Sequence, residues 1–380
     1  MDHQELLTRY RRDLHRIPEL SRDLPKTKAY IKNVLSDLGC EVYDVIESGV
    51  YAYFDRGCSQ TTAFRADMDA LPVKEMNTHD YVSQHEGRMH ACGHDGHMSV
   101  LLTLASYVSE TQELGSNVLC IFQPAEETTG GAKDICSTGI FEKYNVTRVF
   151  GLHMWPFTEA GNISSRPGAL MPRSSEITVE ITGKSSHATA PENGIDSLYM
   201  GTCYIQHLYE AHRRFKEKKK ADGRTAPDEK TIIQICCMNS GTARNVIPGS
   251  CSLLGTMRAF SDEDFDILVG MLEDTADEIS REGGCRITAQ HSEGYPPVIN
   301  DRKLYSEILP VLQSAGNYTE MEKPLMISED YSFYGKHAAS VFFLLGTGTG
   351  IALHSDNFDF DESVLMSGFR LFCSLIQPGV

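Results

Sequence analysis

Residues Met89–His97 read Met-His-Ala-Cys-Gly-His-Asp-Gly-His and place a thiol, three imidazoles and a carboxylate close together in the chain. An apolar-periodic run follows directly, so these polar groups lie where a loop becomes a helix. Thiolate, imidazole and carboxylate are the groups with which proteins bind zinc and other transition metals. The stretch therefore predicts half of a metal site, and the rest of the chain must supply the other ligands.

Length and charge limit the kinds of protein that the chain can be. Its 380 residues are enough for about two domains at roughly 150 residues each. The formal net charge of −17 argues against nucleic acid or an anionic membrane as a partner. The basic run Arg213–Lys220 is interpreted as a solvated helix end. The first residues lack the basic and apolar regions of a signal peptide, and no apolar run approaches the ~20 residues of a membrane span.

The cysteines indicate a reducing compartment. There are eleven of them, an odd number at scattered spacings without a C-x-x-C motif, which predicts reduced thiols in a cytoplasmic protein. Cys120, Cys236, Cys237 and Cys373 lie in apolar runs and are predicted to be core residues. Cys92 differs because its neighbours are polar groups that can bind metal.

The order of predicted elements indicates an α/β fold with a mostly parallel sheet. Short apolar strands alternate with amphipathic helices through the first 153 residues. In such sheets ligand-binding and catalytic residues lie beyond the carboxyl ends of the strands. Asp67, Glu126, Glu127 and His153 all fall at strand ends in this reading, with His153 as the last residue of its strand.

A second module interrupts this alternation. From residue 175 the predicted order is βαββαβ, which is that of a ferredoxin-like α+β module. Residues 300–380 then return to α/β alternation. We therefore expect a discontinuous catalytic domain, residues 1–174 and 293–380, and an inserted domain, residues 175–292, that serves as lid and dimerisation domain.

Several histidines near Cys92 compete as its partner in metal binding. His79, His85, His90 and His97 are all available, and spacing alone does not choose among them. His94 is preferred because it opens the predicted helix beside a glycine turn.

The pair Glu126-Glu127 follows a buried strand and a proline. This is an unusual position for charged side chains that have no function. Neighbouring side chains that leave a strand point in different directions, so one carboxylate can ligate metal while the other faces water. Metal-assisted hydrolysis needs that division, with a Lewis acid that lowers the pKa of water to ~7 and a carboxylate that takes the proton.

Other polar residues complete the candidate set. His153 and His354 together offer the imidazoles that a two-metal site would otherwise lack. His187, Asn245 and Arg258 lie in the inserted module. A lid histidine suits stabilisation of an oxyanion, and an arginine suits a substrate carboxylate because it binds bidentately.

These motifs together resemble the di-metal aminoacylase and carboxypeptidase superfamily, and most of all its N-acyl-amino-acid amidohydrolases, which include hippurate hydrolases and auxin-conjugate hydrolases. The resemblance covers essentially the whole chain. The matching segments are Phe64–Pro72, Met89–His97, Gln123–Glu127, Gly151–His153, Gly183–Ala188, Asn245–Pro248 and Leu353–His354.

The resemblance implies two divalent metal ions, Mn²⁺ or Zn²⁺. The implied ligands are Cys92, His94, Glu127, His153 and His354. Glu126 would be the general base and then the acid, and His187 would stabilise the oxyanion, from its own or the partner subunit. Asn245 and Arg258 would hold the carboxylate of an N-acyl-amino acid, the expected small-molecule substrate, in a homodimer formed through the lid.

One position departs from the wider superfamily, which usually has a metal-binding histidine where this chain has Arg65 and an aspartate that bridges the metals. A cysteine enters the ligand set here instead. Asp67 is expected to orient a ligand.

Two other functions remain open from the sequence. A metallo-dipeptidase or carboxypeptidase would use the same site but needs an acidic group for a free α-amine. A non-enzymatic metal or thiol sensor on this fold would have no need of Glu126.

Overall fold

The computed structural model describes residues 2–380. Its α-helices are α1 (His3–His15), α2 (Pro25–Ser36), α3 (His94–Glu110), α4 (Ala132–Ser137), α5 (Ile140–Lys143), α6 (Ser197–Ala221), α7 (Asp262–Gly283), α8 (Arg302–Ser314) and α9 (Leu365–Ser374). Its strands are β1 (Glu41–Val45), β2 (Gly49–Phe54), β3 (Thr61–Asp67), β4 (Asn117–Gln123), β5 (Val146–Trp155), β6 (Ile163–Ser165), β7 (Gly168–Met171), β8 (Arg173–Thr182), β9 (Ser186–His187), β10 (Ile232–Ser240), β11 (Val246–Ile247), β12 (Ser250–Ala259), β13 (Arg286–His291), β14 (Val298–Asn300), β15 (Tyr318–Glu320) and β16 (Ala339–Gly346).

The chain forms two compact units. Unit 1 comprises residues 1–170, 299–322 and 329–380, and unit 2 comprises residues 171–298 and 323–328. In the described part of the chain, no helix is both long and apolar enough to cross a membrane.

Unit 1 contains an eight-stranded sheet in the order β1-β2-β4-β3-β5-β16-β6-β15. Strands β4, β3, β5 and β16 are mutually parallel and form its centre. All residues of β3 and β4 are buried, as expected for strands covered on both faces. The predicted α/β fold with a mostly parallel sheet is confirmed, and the carboxyl ends of the central strands lie at one edge of the sheet.

Helix α3 begins within the segment Met89–His97. Gly93 precedes it with a φ of 87°, and a Cβ at this position would lie 2.9 Å from Met154 Cγ. Glycine is therefore required at position 93, both for the left-handed turn and for the close approach of the backbone to Met154. Most of the helix is buried, including His94, Asp95 and His97, so its first turn carries polar groups into the interior.

Unit 2 contains a four-stranded antiparallel sheet in the order β10-β12-β8-β13. With α6 after β8 and α7 after β12, the chain order is βαββαβ, and the predicted ferredoxin-like module is confirmed. Burial alternates along β8, so one face of the sheet packs against the helices. Ser261 begins α7 by accepting a hydrogen bond from the Asp264 amide, and Gly284 ends it with a left-handed φ.

Two local predictions were wrong. Strand β5 continues two residues beyond His153. Cys236 and Cys237 are exposed, because β10 is an edge strand whose register shifts between Ile235 and Cys237. All eleven cysteines are free thiols.

Candidate metal and active site

The candidate ligands in unit 1 come from the edge where the central strands end. Glu126 and Glu127 follow β4, and His153 lies near the end of β5. Cys92 and His94 flank Gly93 at the start of α3, and His354 lies in the loop after β16. Parallel strands bring these distant segments together because their carboxyl ends share one edge.

The potential ligand atoms lie within coordination reach of each other. Cys92 Sγ is 3.4 Å from His153 Nε2, and His354 Nε2 is 3.3 Å from Glu127 Oε1. His94 Nε2 is 3.8 Å from the same Glu127 oxygen. Ligand atoms lie within 4.8 Å of one another in each of the overlapping sets Cys92–His94–His153, Cys92–Glu127–His354 and His94–Glu126–Glu127.

The backbone fixes the tautomers of two of these histidines. His94 Nδ1–H donates to the Asp69 carbonyl at 2.7 Å, and His153 Nδ1–H donates to the Met154 carbonyl at 2.7 Å. Each Nε2 therefore keeps its lone pair, which is the arrangement that metal-ligating histidines have. His94 Nε2 and Glu127 Oε1 are buried and make no hydrogen bond among the described residues. Buried polar atoms are rarely left in that state, so this donor set fits a bound cation.

His97 has no ring nitrogen free for a metal. Its Nε2 accepts the Met154 amide at 2.8 Å, and its Nδ1 pairs with Asp67 Oδ1 at 2.5 Å. Two of the other nearby histidines have contacts away from Cys92. His85 Nδ1 donates to the Pro18 carbonyl at 2.7 Å, and His79 stacks on Tyr81. His90 is buried, and neither of its ring nitrogens makes a hydrogen bond among the described residues.

Asp69 holds the turn that carries the glutamate pair. Its two carboxylate oxygens accept the backbone amides of Glu126 and Glu127 at 2.9 Å and 3.1 Å. Ala125, just before the pair, has a φ of 63°, and His354 has a φ of 66°. Positive φ is uncommon for residues other than glycine and is found at sites where the surrounding structure holds the backbone. The turn is thus fixed before any ligand arrives.

Arg65 lies at the centre of a buried charge cluster that the sequence did not reveal. Its guanidinium contacts Asp67 Oδ2 at 2.8 Å, Glu329 Oε1 at 3.0 Å and Asp330 Oδ1 at 2.9 Å. It also donates to Gln123 Oε1 at 2.8 Å. Arg65 thus contacts three carboxyl groups. Burial, with the charges of Asp330 and Asp67, still raises the pKa of Glu329 to about 8 against the effect of Arg65. Asp67 has one oxygen on this arginine and the other on His97. The oxygen on the arginine also lies 3.6 Å from His94 Nε2, so Asp67 borders the ligand set directly.

Glu329 and Asp330 were missed in the sequence. Asp330 accepts hydrogen bonds from the Gly131 and Ala132 amides as well as from Gln123. The available signal was a second acidic pair, Glu329-Asp330, next to an aromatic segment. That signal is weak because it gives no indication of Arg65 as its partner.

The pKa values of the two adjacent glutamates shift in opposite directions. Burial, with the neighbouring charges of Glu329 and Glu127, raises the pKa of Glu126. Burial also acts on Glu127, but its contacts with His354 and His94 prevail and lower its pKa. Burial and both glutamates raise the pKa of the Cys92 thiol. A divalent cation would offset the charge of these groups and favour the thiolate.

The site is most open at His354. This side chain is 53% exposed, whereas that of Glu127 is 10% exposed, and Cys92, His94 and His153 are buried. Solvent therefore reaches the ligand set from the side of His354.

The remaining predicted residues lie in unit 2. His187 and Asn245 are exposed neighbours: Val246 pairs with His187 across β9 and β11, and the Ala188 amide donates to the Asn245 carbonyl at 3.0 Å. Arg258 is half-buried near the other end of β12. Burial lowers its pKa, and within residues 2–380 no carboxylate forms an ion pair with it.

Comparison with known proteins places this chain in a family. A sequence model of peptidase family M20/M25/M40 matches residues 63–377. An uncharacterized hydrolase of Staphylococcus aureus is 34% identical over 390 residues, which cover 99% of each protein. The chain belongs to peptidase family M20/M25/M40, and it is a hydrolase that acts on amide bonds.

Solved structures agree with that assignment. The Bacillus subtilis YXEP protein, described as a dinuclear metal-binding peptidase of the M20 family, is 27% identical with a TM-score of 0.84, over 98% of this chain and 97% of that one. Aminopeptidase PepT of Bacillus cereus is 15% identical with a TM-score of 0.74, over 98% of both chains. The similarity to PepT shows a shared fold and nothing further.

Proposed function

We propose that this chain is an N-acyl-amino-acid amidohydrolase of the hippurate and auxin-conjugate hydrolase branch, which releases a carboxylic acid and a free amino acid. The observation that carries the proposal is the position of Glu126. It is a buried carboxylate with a raised pKa, and it lies within ligand distance of His94 and Glu127. A site that only bound metal would need no such group beside the ligands.

Cys92, His94, Glu127, His153 and His354 would hold two divalent ions, Zn²⁺ or Mn²⁺. The description of the Bacillus subtilis relative as dinuclear supports the proposal of two ions. A thiolate favours zinc, whereas carboxylate and imidazole also suit manganese. When bound, the ions would supply Lewis acidity and lower the pKa of water to ~7.

Glu126 moves the proton in this proposal. Its carboxylate takes a proton from the water that attacks the amide carbonyl, and it then gives that proton to the departing amine. A general base is most effective when its pKa lies near the working pH. Glu126 is buried beside His94 and Glu127, a position from which it can both take the proton and return it to the amine.

Two sets of contacts hold the residues around Glu126. Asp69 holds the amides of Glu126 and Glu127, and Arg65 contacts Asp67, Glu329 and Asp330. Asp67 also holds His97, whose Nε2 binds the backbone of β5 next to His153. Through these contacts we assign Asp67 to positioning of the ligands.

His187 and Asn245 would act on the substrate from unit 2, the proposed lid, and Arg258 would bind its carboxylate. Asn245 precedes β11 and Arg258 lies near the far end of β12. At ~3.3 Å per residue, roughly 26 Å separates Ser250 from Arg258 along the strand, which disfavours the placement of Asn245 and Arg258 on one carboxylate by a single lid. This separation supports a homodimer in which two lids contribute to each site.

Two further parts of the proposal rest on composition and on relatives. The eleven free thiols support a cytoplasmic location, because reduced cysteines are typical there. The description of the Bacillus subtilis relative as a peptidase supports a second candidate, a dipeptidase or carboxypeptidase with the same metal site.

A substrate panel separates these candidates. Chelated enzyme is reloaded with zinc, manganese or cobalt and assayed on N-acetyl and N-benzoyl amino acids and, in parallel, on dipeptides with the same C-terminal residue. Faster turnover of the N-acyl compounds supports the proposal. Faster turnover of the dipeptides would favour the peptidase, and no amide hydrolysis by metal-loaded protein would favour a metal sensor.

A further inference from the structure

A basic cavity in unit 2 has none of the residues assigned to the metal site or to substrate binding among its lining residues. Its volume is ≈ 460 Å³, and it is formed by the end of α6, the loop that leads into β10 and the segment around Lys323. We propose that this cavity binds a phosphorylated small molecule with an apolar part. We call it the lysine pocket, after its lining residues Lys216, Lys219, Lys220, Arg224, Lys230 and Lys323.

The floor of the lysine pocket is a fixed ion-pair network. Buried Lys219 contacts Asp264 and, at 2.9 Å, Glu229 Oε2. Arg224 Nη2 contacts the same Glu229 oxygen at 2.7 Å and Asp264 Oδ1 at 3.0 Å. These two cations are therefore neutralised within the protein. Their role is to hold the loop after α6 against the start of α7.

The other four cations are not neutralised in this way. Lys216, Lys220, Lys230 and Lys323 are exposed, and none forms an ion pair with a carboxylate of the described chain. Favourable charge in the last turn of α6 accounts for Lys220. It does not account for Lys230 and Lys323, which arrive from separate segments. Four unpaired lysines around one cavity form a local positive field in a chain of net charge −17, and such a field attracts anions.

The kind of basic side chain in the lysine pocket indicates which anion it binds. Arginine recognises carboxylates bidentately, whereas lysine binds phosphate as a point charge. The only arginine of the lysine pocket is held by Glu229 and Asp264, so lysines alone face the ligand. Phosphate is therefore favoured over carboxylate.

The rest of the lining favours an organic phosphate. Pro227, Pro324 and Met326 contribute apolar surface, and the volume falls in the range of roughly 300–1,000 Å³ typical of small-molecule sites. A compound with two phosphate groups and a flat apolar ring matches both features.

Titration calorimetry of the metal-loaded enzyme tests the proposal, with adenosine 3′,5′-bisphosphate as the probe because its separated phosphates chelate metal weakly. Adenosine and tricarballylate, a tricarboxylate, are the comparison compounds. We expect saturable binding of the bisphosphate and weaker binding of both comparison compounds. The triple variant Lys220→Gln/Lys230→Gln/Lys323→Gln should bind the bisphosphate about tenfold or more weakly, since each exposed ion pair contributes modestly.

The matched control removes the same charge elsewhere. Lys218, Lys303 and Lys336 are exposed and do not line the cavity, so the triple glutamine variant at these positions should bind like the wild type. Circular dichroism on both variants establishes that the fold is retained. No saturable binding, equal weakening in the control, or tricarballylate binding as tight as that of the bisphosphate would each overturn the proposal.

Discussion

Cys92 Sγ lies 3.4 Å from His153 Nε2, although the two residues come from the start of α3 and the end of β5. The His153 ring is fixed by its donation to the Met154 carbonyl, and Gly93 permits the turn that brings Cys92 close to it. The contact joins a soft thiol to an imidazole with an available lone pair. This pairing is the basis for the proposal that Cys92 is a metal ligand and not an ordinary buried thiol.

Replacement of Cys92 by serine should weaken metal binding. A hydroxyl is a poorer ligand for zinc than a thiolate, and loss of even an indirect partner typically costs about 10-fold to 100-fold in metal affinity. Competition with a chromophoric chelator measures the affinity, and elemental analysis measures the metal content. Cys236→Ser changes an exposed thiol and serves as the control. Equal affinity of Cys92→Ser and wild type would mean that the thiol does not ligate metal.

Replacement of Arg65 by methionine should destabilise the metal-free protein by about 3–5 kcal/mol, because it leaves Asp67, Glu329 and Asp330 buried without the guanidinium that contacts them. Urea unfolding measures the change. Arg214→Met removes an exposed pair with Glu210 and should have little effect. If the two variants lost similar stability, the cluster around Arg65 would have no special structural role.

The helices, the central strands and the order of the ferredoxin-like module were predictable from periodicity, because buried faces repeat along the chain. The strand-end positions of Glu126 and Glu127 followed from the same reasoning. The cluster around Arg65 was not predictable, since Asp330 is 265 residues away in sequence. Exposure of Cys236 and Cys237 depends on β10 lying at the sheet edge, which local pattern does not reveal. The preference for His94 over His97 came from the glycine turn before the helix, and the two hydrogen bonds that occupy the His97 ring agree with it.

The buried contacts of His15 predict a pH-dependent stability. Burial opposes its charge, but hydrogen bonds to Asp95 (2.8 Å) and Glu75 (3.1 Å) prevail and raise its pKa to about 9. A raised pKa adds stability that is complete below the unfolded value of 6.5 and is lost as the pH rises through about 9. The difference in unfolding free energy between wild type and His15→Gln should therefore shrink by up to about 3 kcal/mol between about pH 6 and pH 10.

Chemical unfolding of both proteins across that range measures the difference. Asp95 and Glu75 have lowered pKa values and stay ionised throughout, so the change reports on His15. A difference that is constant or grows with pH would show that His15 is not charged in the folded state.

The separation of Asn245 and Arg258 predicts that mixed dimers regain activity. Glu126→Gln should inactivate one site and His187→Ala should inactivate one lid. If each site uses the partner's His187, a mixed dimer of the two variants keeps one intact site. Random reassociation should then give about a quarter of the wild-type activity from two inactive preparations. No recovery after verified subunit exchange would place His187 in its own subunit's site.

The most direct test of the proposed chemistry is the turnover of Glu126→Ala on an N-acyl-amino acid, with metal content measured on the same sample. Removal of a general base typically costs about 10²-fold to 10⁴-fold in rate, and Glu126 is proposed to lie beside the metal ligands without being one of them. We predict that kcat falls by at least this factor while the metal content stays near that of the wild type. Turnover equal to that of the wild type at full metal content would contradict the account.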